Sequence, residues 1–427
     1  MHESDNIMNI FVLNCGSSSL KYRMISMPSE VEIFGGEVQR IASKTAEAAR
    51  IVHRQSDNVR IVPAAARTHK EALSEVLALV RDNASFPPAL IAHRFVHGGA
   101  VFPANKVLAS EDLPLLERTR DLAPVHNPPV LELIAACREM CPEIPQALVL
   151  DTAFHSTMPR SAYTYALPAD IVSELMIKKY GFHGISHEYV STEAARFLQI
   201  PMGEFNAVSC HLGSGGASLC AIIGGKSVDN SMGFSPLQGL VMSTRSGDID
   251  PAVVLRMLAY STDDYAKVSG ILNKRSGVLG LSGSSSDIRD VISRATVAQD
   301  ERAQNTLDLY VWRIRKYLGA YLAVVGRPDA VIFTDTIGES VPYVREAVCR
   351  NLDCFGVRID EWKNERVVSN PADISGASSK TKIVVIRTNE EIAIARKAFQ
   401  LIRIDEAGKS GRSEREESHD PINCLQS

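Results

Sequence analysis

One pattern constrains the fold of this chain more than any other feature: two apolar runs that flank a glycine-containing turn, present twice. The first copy spans Ile10–Ile25 and turns at Asn14–Ser19. The second begins about 195 residues later, spans Ala207–Ile223 and turns at His211–Gly216. Such runs, interrupted by glycine and serine, are typical of a strand, a tight turn and a second strand. The recurrence predicts two lobes of similar organisation.

The stretches between these copies predict helices and a further strand. Thr68–Asp82 and Leu309–Val325 carry apolar residues at helical spacing, and the apolar run Ala330–Phe333 precedes a predicted turn at Thr334–Glu339. Strands that alternate with helices indicate an α/β fold. The length of 427 residues also favours two lobes, because single cores stop growing at roughly 250–300 residues.

These patterns predict the domain boundaries. We expect an N-terminal lobe over residues 7–152, completed by a C-terminal helix over residues 391–403. A C-terminal lobe is expected over residues 153–390. Residues 404–427 are rich in Asp, Glu, Lys, Ser and Gly, so we expect a disordered tail there.

Composition limits the possible partners and the compartment. Hydrophobic residues at 45% and charged residues at 22% are close to globular averages. The net charge of −4, without a long basic stripe, argues against nucleic acid and anionic membranes as partners. We expect neither a secretory signal nor a membrane helix, which needs roughly 20 apolar residues. The eight scattered cysteines suit a reducing cytoplasm, and Cys137 and Cys141 favour small buried side chains over a zinc site.

The first turn has the composition of a phosphate site. Gly16, the hydroxyls of Ser17 to Ser19 and the cation of Lys21 follow one another closely, and such groups bind phosphate oxygens. Serine-rich hairpin tips are also ordinary turns, so this stretch alone supports both interpretations. It is not a Walker loop, because no G-x-x-x-x-G-K-[ST] occurs in the chain.

The second turn offers His211 as a donor to phosphate, and its three glycines allow the backbone to approach a ligand closely. Alone this signal is weak. Two such turns, one in each lobe, are what a nucleotide in a cleft between the lobes would require.

Two arginines are further candidates. Arg94 lies in AHRFVHGG at the end of a predicted strand, and Arg245 lies in STRSGDIDP, a polar loop after an apolar stretch. Either could form an ordinary surface salt bridge. The functional interpretation is that guanidinium groups neutralise the charge that builds up when a phosphoryl group meets an anionic acceptor.

Further candidates are carboxylates and histidines near predicted strand ends. Asp151 follows the apolar run Ala147–Leu150, at a position where α/β sheets bind ligands. His183 and His187 flank Gly184, and since no third metal ligand is evident we favour His183 as a phosphate donor over a zinc pair, with His187 as a structural residue.

Two helix starts have both a structural and a functional interpretation. Asp287–Arg289 follows a serine-rich loop, which N-capping alone would explain. Thr388–Glu391 also resembles a helix start, but its glutamates could instead hold Mg²⁺, which prefers one or two carboxylates together with phosphate oxygens and water.

Taken together and in order, these motifs resemble the acetate kinase family from about Phe11 to Arg396. The matching segments are NCGSSSLKY, HRFVHGG, LAPVHNPP, DTAFH, YGFHGISH, CHLGSGGAS, SMGFSPLQGL, TRSGDIDP, LNKRSGVLGLSGSSSDIRD, IGES and TNEE. The resemblance implies two similar lobes of the actin-like ATPase (ribonuclease H-like) fold, an interlobe nucleotide cleft and a homodimer. It further implies reversible phosphoryl transfer between ATP and acetate, giving acetyl phosphate and ADP, with Mg²⁺ as cofactor and Mn²⁺ as an expected substitute.

The resemblance also implies roles for single residues. Asp151 would be the catalytic carboxylate, while His183 and Arg245 would stabilise the transition state. Asn14 and Glu390 would bind Mg²⁺. Arg94 would bind the acetate carboxylate. The apolar pocket for the methyl group would consist of Val96, Val125, Phe182 and Pro236. The nucleotide would contact Lys21, Ser17, Ser19, His211, Leu212, Gly213, Ser214, Gly215, Asp287, Ile288, Arg289, Thr336, Ile337, Gly338, Glu339 and Ser340.

The chain departs from the family pattern at the nucleotide residues. Ser214 stands where asparagine is usual, and Asp335–Thr336 and Ser340 replace Ala-Gly and Asn. We expect ATP as the phosphoryl donor, but these departures leave two alternatives open. The chain could use pyrophosphate as the donor, or it could be a catalytically weakened relative that only binds nucleotide.

The acyl pocket also departs from the pattern, because Val125 replaces a frequent leucine. A methylene discriminates by only about 1–3 kcal/mol, so propionate is the alternative acceptor. Since a carboxylate with a pKa near 4.3 is ionised at pH 7, Asp151 is expected to act by positioning, metal binding or charge balance and not as a base.

Overall fold

The computed structural model describes residues 7–16, 18–41, 49–80 and 87–417, with side chains up to residue 404. The chain divides into two compact units, unit 1 with residues 1–150 and 391–427, and unit 2 with residues 151–390. The sequence analysis placed the boundaries between the two lobes after residues 152 and 390, and the observed units divide after residues 150 and 390. None of the helices in the described ranges is both long and apolar enough to cross a membrane.

Unit 1 is built on one eight-stranded sheet. Its strands are β1 (Met8–Cys15), β2 (Ser19–Met27), β3 (Val31–Gln39), β4 (Arg50–Gln55), β5 (Asn58–Pro63), β6 (Leu90–Phe95), β7 (Lys106–Val107) and β8 (Gln146–Leu150). They lie in the order β5-β4-β3-β2-β1-β6-β8-β7. Strands β1 to β5 form antiparallel pairs, whereas β6 is parallel to both β1 and β8. The central strands β1 and β8 are almost wholly buried, as apolar runs between covering helices should be.

Three α-helices of unit 1 lie between its strands in the order of the chain. They are α1 (His69–Val80), α2 (Leu113–Glu117) and α3 (Asn127–Met140), with short 3₁₀ helices at Ser110–Asp112 and Arg120–Leu122. Helix α1 begins one residue after the start predicted from its apolar spacing and buries Leu73 and Val76.

Unit 2 contains a six-stranded sheet. Its strands are β9 (Ala207–Leu212), β10 (Ala217–Ile223), β11 (Lys226–Asn230), β12 (Ala330–Thr334), β13 (Ala372–Asp373) and β14 (Lys382–Val385), in the order β11-β10-β9-β12-β14-β13. In both units a three-stranded antiparallel meander is followed by two parallel strands, since β3-β2-β1-β6-β8 matches β11-β10-β9-β12-β14. The repeated order confirms the predicted α/β class and the similarity of the two lobes.

Unit 2 also contains helices. They are α4 (Arg160–Tyr163), α5 (Ala169–Glu174), α6 (Gly184–Leu198), α7 (Pro251–Tyr260), α8 (Tyr265–Lys274), α9 (Gly277–Ser282), α10 (Ile288–Thr296), α11 (Glu301–Val325), α12 (Asp335–Ser340), α13 (Pro342–Cys349) and α14 (Glu361–Glu365). Short 3₁₀ helices occupy Ala153–Thr157, Met202–Glu204 and Asp353–Phe355. Helix α6 packs through Val190 and Ala194 onto Ala207, Ile332 and Val384 of the sheet, which fixes the position of its N-terminus.

The last helix, α15 (Glu390–Glu417), is longer than the predicted helix, which ended at residue 403. The prediction used apolar content alone, whereas the added segment is rich in Glu, Lys and Arg, which are good helix formers. Residues 418–427 of the predicted tail lie outside the described residues. An ion pair between Arg396 Nε and Glu30 Oε1 at 2.5 Å attaches the helix to unit 1.

Candidate active site

The turn between β1 and β2 is closed by its own backbone. Gly16 N–H donates to Ser19 O at 2.9 Å, and a Cβ at Gly16 would lie 2.9 Å from Ser19 Oγ. Lys21 lies on β2 directly across from Asn14 on β1, with its side chain exposed. Ser17, another predicted phosphate contact, lies outside the described residues. The predicted cation and the predicted metal ligand of unit 1 are thus neighbours in one hairpin.

Hydrogen bonds orient the polar group at the end of β1. Arg94, on the adjacent strand β6, donates from Nη1 to Asn14 Oδ1 at 3.3 Å. Asn14 Nδ2 donates to Glu391 Oε1 at 3.1 Å, and the other oxygen of Glu391 lies 3.5 Å from Arg23 Nη2. Asn14 and Glu391 are both buried. The sequence analysis singled out Glu390, but it is the adjacent Glu391 that fixes the amide of Asn14 in unit 1.

The chemistry of the two predicted metal ligands, Asn14 and Glu390, suits a magnesium ion. Mg²⁺ takes oxygen ligands, keeps several waters and needs only one or two protein side chains. In unit 1, Asn14 has a buried amide oxygen that Arg94 orients. In unit 2, Glu390 has a half-buried carboxylate at the start of α15. Within the described ranges, no group of three or more His, Cys, Asp or Glu side chains could hold a metal by itself. Either side chain alone would leave most coordination positions of Mg²⁺ to substrate oxygens and water.

The predicted acyl-pocket residues differ in exposure. In unit 1, Val96 is 7% exposed and Val125 is 47% exposed. In unit 2, Phe182 is buried and Pro236 is half-buried. Pro236 O accepts a hydrogen bond from Arg245 Nη1 at 3.3 Å, so unit 2 places one predicted pocket residue against one predicted catalytic residue.

Asp151 and His183 are held together at the start of α6. Asp151, the residue after β8, is buried, and its carbonyl accepts from Gly184 N–H at 2.8 Å. A Cβ at Gly184 would lie only 2.3 Å from that carbonyl oxygen, so only glycine fits there. His183 precedes the helix with a left-handed φ of 59°, an uncommon conformation for a residue with a side chain. Uncommon backbone geometry of this kind clusters at functional sites.

A buried serine fixes the imidazole of His183. Its Nδ1 lies 2.9 Å from Ser218 Oγ, which also lies 2.8 Å from His187 Nε2. His187 Nδ1 lies 2.9 Å from Ser209 Oγ. Burial, and then the charges of neighbouring histidines, lower the pKa of His187 far below its usual value, so His187 stays neutral and serves as a structural support. The contact at Nδ1 fixes the plane of the His183 ring and with it the direction of Nε2.

His183 and Arg245 converge on Gly216. A Cβ at Gly216 would lie 3.4 Å from His183 Nε2 and 3.5 Å from Arg245 Nη1, so the absence of a side chain leaves room beside both donors. Burial lowers the pKa of Arg245, and no carboxylate in the described part of the chain offsets that effect. Because arginine remains charged even so, unit 2 holds a largely buried cation that an anionic ligand would neutralise.

The glycine-rich turn of unit 2 is tied to the loop after β12. His211 Nδ1 contacts Ser186 Oγ at 2.9 Å, and His211 Nε2 lies 3.0 Å from Asp335 Oδ2. Ser214 N–H donates to Thr336 Oγ1 at 3.2 Å. The rings of His211 and His183 lie 4.2 Å apart between centroids. The predicted nucleotide residues of the turn and of helix α12 are therefore in direct contact.

The predicted turn at Thr334–Glu339 is instead the short helix α12. The buried guanidinium of Arg345 donates to the carbonyls of Gly338 at 2.9 Å and Glu339 at 2.8 Å, and Glu339 Oε1 accepts from Asp335 N–H at 2.9 Å. These tertiary bonds, which no local pattern reveals, fix the segment and explain why the turn prediction was wrong.

Asp287 has the geometry of a helix cap. Asp287 Oδ1 accepts from Arg289 N–H at 2.9 Å at the start of α10, and the Arg289 guanidinium folds back onto Asp287 Oδ2 at 2.6 Å. The hydrogen bond from the Arg289 side chain lowers the pKa of Asp287. Ile288 is buried beneath them. The structural interpretation of this motif thus has direct support, and the nucleotide contact stays a prediction.

Sequence reasoning missed the serines that orient the histidines. Ser209 and His211 alternate on the buried strand β9, and Ser218 lies across from His211 in the ladder with β10. Their signal was polar residues at every second position of an otherwise apolar run, which places them on one face of the sheet.

Comparison with known proteins identifies the family. The model of the acetokinase family matches residues 9–396 of this chain. The chain belongs to the acetokinase family. It is similar to the acetate kinase of Alkaliphilus metalliredigens, with 45% identity over 402 residues that cover 92% of this chain and 100% of the relative. This confirms the resemblance on which the sequence analysis relied.

Solved structures of this family have the same fold. Acetate kinase from Porphyromonas gingivalis superimposes with a TM-score of 0.84 at 35% identity, covering 92% of this chain and 100% of that one. A propionate kinase from Francisella tularensis superimposes with a TM-score of 0.85 at 34% identity, with the same coverage of both chains. Membership of the family confirms the expected actin-like class, and the neighbours include both acyl specificities that the sequence left open.

Proposed function

We propose that this chain is an acetate kinase that transfers the terminal phosphoryl group of ATP to acetate. An acetate oxygen would form the new bond to phosphorus as the bond to the ADP oxygen breaks, and the reverse reaction would return the group to ADP. The observation that carries the proposal is the convergence of His183 Nε2 and Arg245 Nη1 on the space beside Gly216. Two fixed donors at one point are suited to the oxygens of a transferring phosphoryl group.

Arg94 would bind the acetate carboxylate, because its guanidinium is oriented through Asn14 and forks of this kind match carboxylates. Asp151 is buried and held next to the start of α6. Since acetate is already ionised at pH 7, no base is needed, and Asp151 would act through positioning and charge balance.

Asn14 and Glu390 would hold Mg²⁺. When bound, the ion would neutralise charge on the phosphate oxygens. The nucleotide phosphates would contact Lys21, Ser17 and Ser19 from the first turn. Further nucleotide contacts would come from His211 to Gly215, Asp287 to Arg289, and Thr336 to Ser340.

Val96, Val125, Phe182 and Pro236 would surround the methyl group of acetate. Propionate is the second candidate, favoured by Val125, which is one methylene shorter than leucine and is 47% exposed. One methylene group changes kcat/KM by about 10–200-fold, so we expect the values for acetate and propionate to differ by about 200-fold at most.

We further propose a cytoplasmic homodimer. The described cysteines, Cys15, Cys137, Cys141, Cys210, Cys220, Cys349 and Cys354, are free thiols, which suits a reducing compartment.

Hydroxylamine trapping of acyl phosphate tests the reaction. The enzyme is incubated with Mg-ATP and acetate or propionate, beside Arg245→Ala and a matched Arg313→Ala control. Arg313 is another arginine of unit 2, and it is engaged with Asp248 and the carbonyl of Gly239. We expect hydroxamate from the wild type and from Arg313→Ala, and at least a 100-fold lower rate from Arg245→Ala.

Two other outcomes of this experiment would distinguish the alternative functions. Product with pyrophosphate but not with ATP would identify the pyrophosphate-using relative. ADP binding without product from any donor would contradict the proposed reaction and indicate a nucleotide-binding relative.

A further inference from the structure

The donors of the glycine-rich turn in unit 2 are engaged by an acidic side chain of the same unit. His211 Nε2 lies 3.0 Å from Asp335 Oδ2, and Asp335 Oδ1 accepts from Thr336 Oγ1 at 2.9 Å. A Cβ at Gly213 would lie 2.4 Å from Asp335 Oδ2, so the carboxylate rests against the backbone of the turn. Thr336 Oγ1 in turn accepts from Ser214 N–H at 3.2 Å.

This arrangement resembles a bound anion. An imidazole and backbone N–H groups of a glycine-rich turn are the groups that hold phosphate oxygens. Here a carboxylate and a hydroxyl of the chain itself accept from His211 and Ser214. Burial alone would raise the pKa of Asp335, but the hydrogen bonds from His211 and Thr336 outweigh it and hold the pKa well below its usual range. Asp335 is therefore an anion at neutral pH.

The position of Asp335 is built into the fold. Its backbone adopts a left-handed φ of 62°, and its N–H donates to Glu339 Oε1 at 2.9 Å. The same Glu339 oxygen accepts from Thr388 N–H at 3.0 Å. From behind, the buried Arg345 binds the carbonyls of Gly338 and Glu339. These bonds hold the start of helix α12 in place, so its contact with the turn is a defined interaction of a fixed segment.

We propose that Asp335 and Thr336 are specificity-determining residues that act as an internal anion, occupying His211 and the Ser214 N–H until the phosphate of the donor displaces them. The inference rests on the proposed function, since it takes the turn to be a phosphate site. The apparent affinity for a phosphate ligand is reduced by the fraction of molecules in which the donors are engaged. Ligands with more phosphate charge should displace the pair more readily than ligands with less.

Binding titrations without acetate test the proposal. Dissociation constants for ADP, pyrophosphate and adenosine are measured by calorimetry for the wild type, Asp335→Asn, Asp335→Gly and Thr336→Val. Asn and Gly both tolerate the left-handed backbone, so either variant can report if the other fails to fold. Asp329→Asn is the matched control, because Asp329 precedes the same strand β12 and accepts from Asn206 N–H at 2.8 Å.

We expect ADP and pyrophosphate to bind about tenfold more tightly to both Asp335 variants and about threefold more tightly to Thr336→Val. Adenosine, which lacks phosphate, should bind equally to all, and Asp329→Asn should match the wild type. Unchanged or weaker ADP binding in both Asp335 variants would overturn the inference, as would an equal gain for adenosine, which would indicate steric relief. The proposed function fails separately, if the wild type binds ADP but makes no acyl phosphate.

Discussion

The sheets of the two units share a five-strand order but carry opposite charges beside the end of the corresponding strand. In unit 1, β6 lies parallel to β1 and its Arg94 reaches Asn14 at the end of β1. In unit 2, β12 lies parallel to β9, and Asp335, which follows β12, reaches His211 at the end of β9. The corresponding strands therefore present a cation in unit 1 and, one residue further along, an anion in unit 2. A shared topology fixes where functional side chains are presented and leaves their chemistry to the sequence.

The largest expected effect comes from removing the cation of unit 1. Arg94→Gln should lower kcat/KM for acetate by at least about 100-fold, because the guanidinium proposed to bind the carboxylate is lost. The control is Arg23→Gln, since Arg23 belongs to the same cluster but already pairs with Glu32 at 3.0 Å. Its kcat/KM should change by no more than about threefold. Steady-state kinetics measure both, and equal losses in the two variants would contradict the assigned role of Arg94.

The next effect concerns acid stability, where unit 2 buries two neutral histidines, His155 and His187. Burial lowers the pKa of His155 to about 4 and that of His187 still further. A folded pKa below the unfolded value of about 6.5 means that the unfolded state binds more protons, so stability falls as the pH falls below about 6.5. The loss should be about 1.5 kcal/mol per histidine between pH 6.5 and 5.

Urea unfolding followed by tryptophan fluorescence measures this loss, because both tryptophans of the chain, Trp312 and Trp362, lie in unit 2. His155→Gln should lower stability at pH 7 but flatten its dependence on pH. A variant whose unfolding midpoint falls with pH as steeply as that of the wild type would show that His155 does not contribute.

A smaller effect is expected from the support of His183. Ser218→Ala removes the hydroxyl that contacts both His183 and His187, and we expect a loss of about tenfold in kcat. The KM values for ATP and acetate should stay within about twofold. Ser227→Ala is the matched control, since this buried serine contacts His155 instead.

A positioning role for Ser218 has a distinct signature. The pH profile of kcat should shift in Ser218→Ala and recover in Ser218→Thr, which keeps the hydroxyl. Equal changes in Ser218→Ala and Ser227→Ala, with no shift of the profile, would indicate a general structural effect and would exclude this role.

The elements that the sequence could predict are those set by local patterns. The hairpins β1–β2 and β9–β10 and helix α1 follow from apolar runs and their spacing. Helix α12 could not be predicted, because the buried guanidinium of Arg345 that fixes it comes from a later helix. The residues of the candidate site divide in the same way into those that local motifs indicate and those that depend on tertiary contacts. Motifs indicated His183, Arg245 and His211, whereas the contacts of Ser218 and Asp335 depend on strands that are brought together only by the fold.

Phosphorus NMR of the enzyme mixed with acetyl phosphate, ADP and Mg²⁺ tests the central claim most directly, because it follows donor and product together. The account predicts that the acetyl phosphate signal falls as the three ATP signals rise. The same mixture with Arg245→Ala should remain unchanged over the same period. Wild-type enzyme that binds ADP yet forms no ATP from acetyl phosphate would contradict the account.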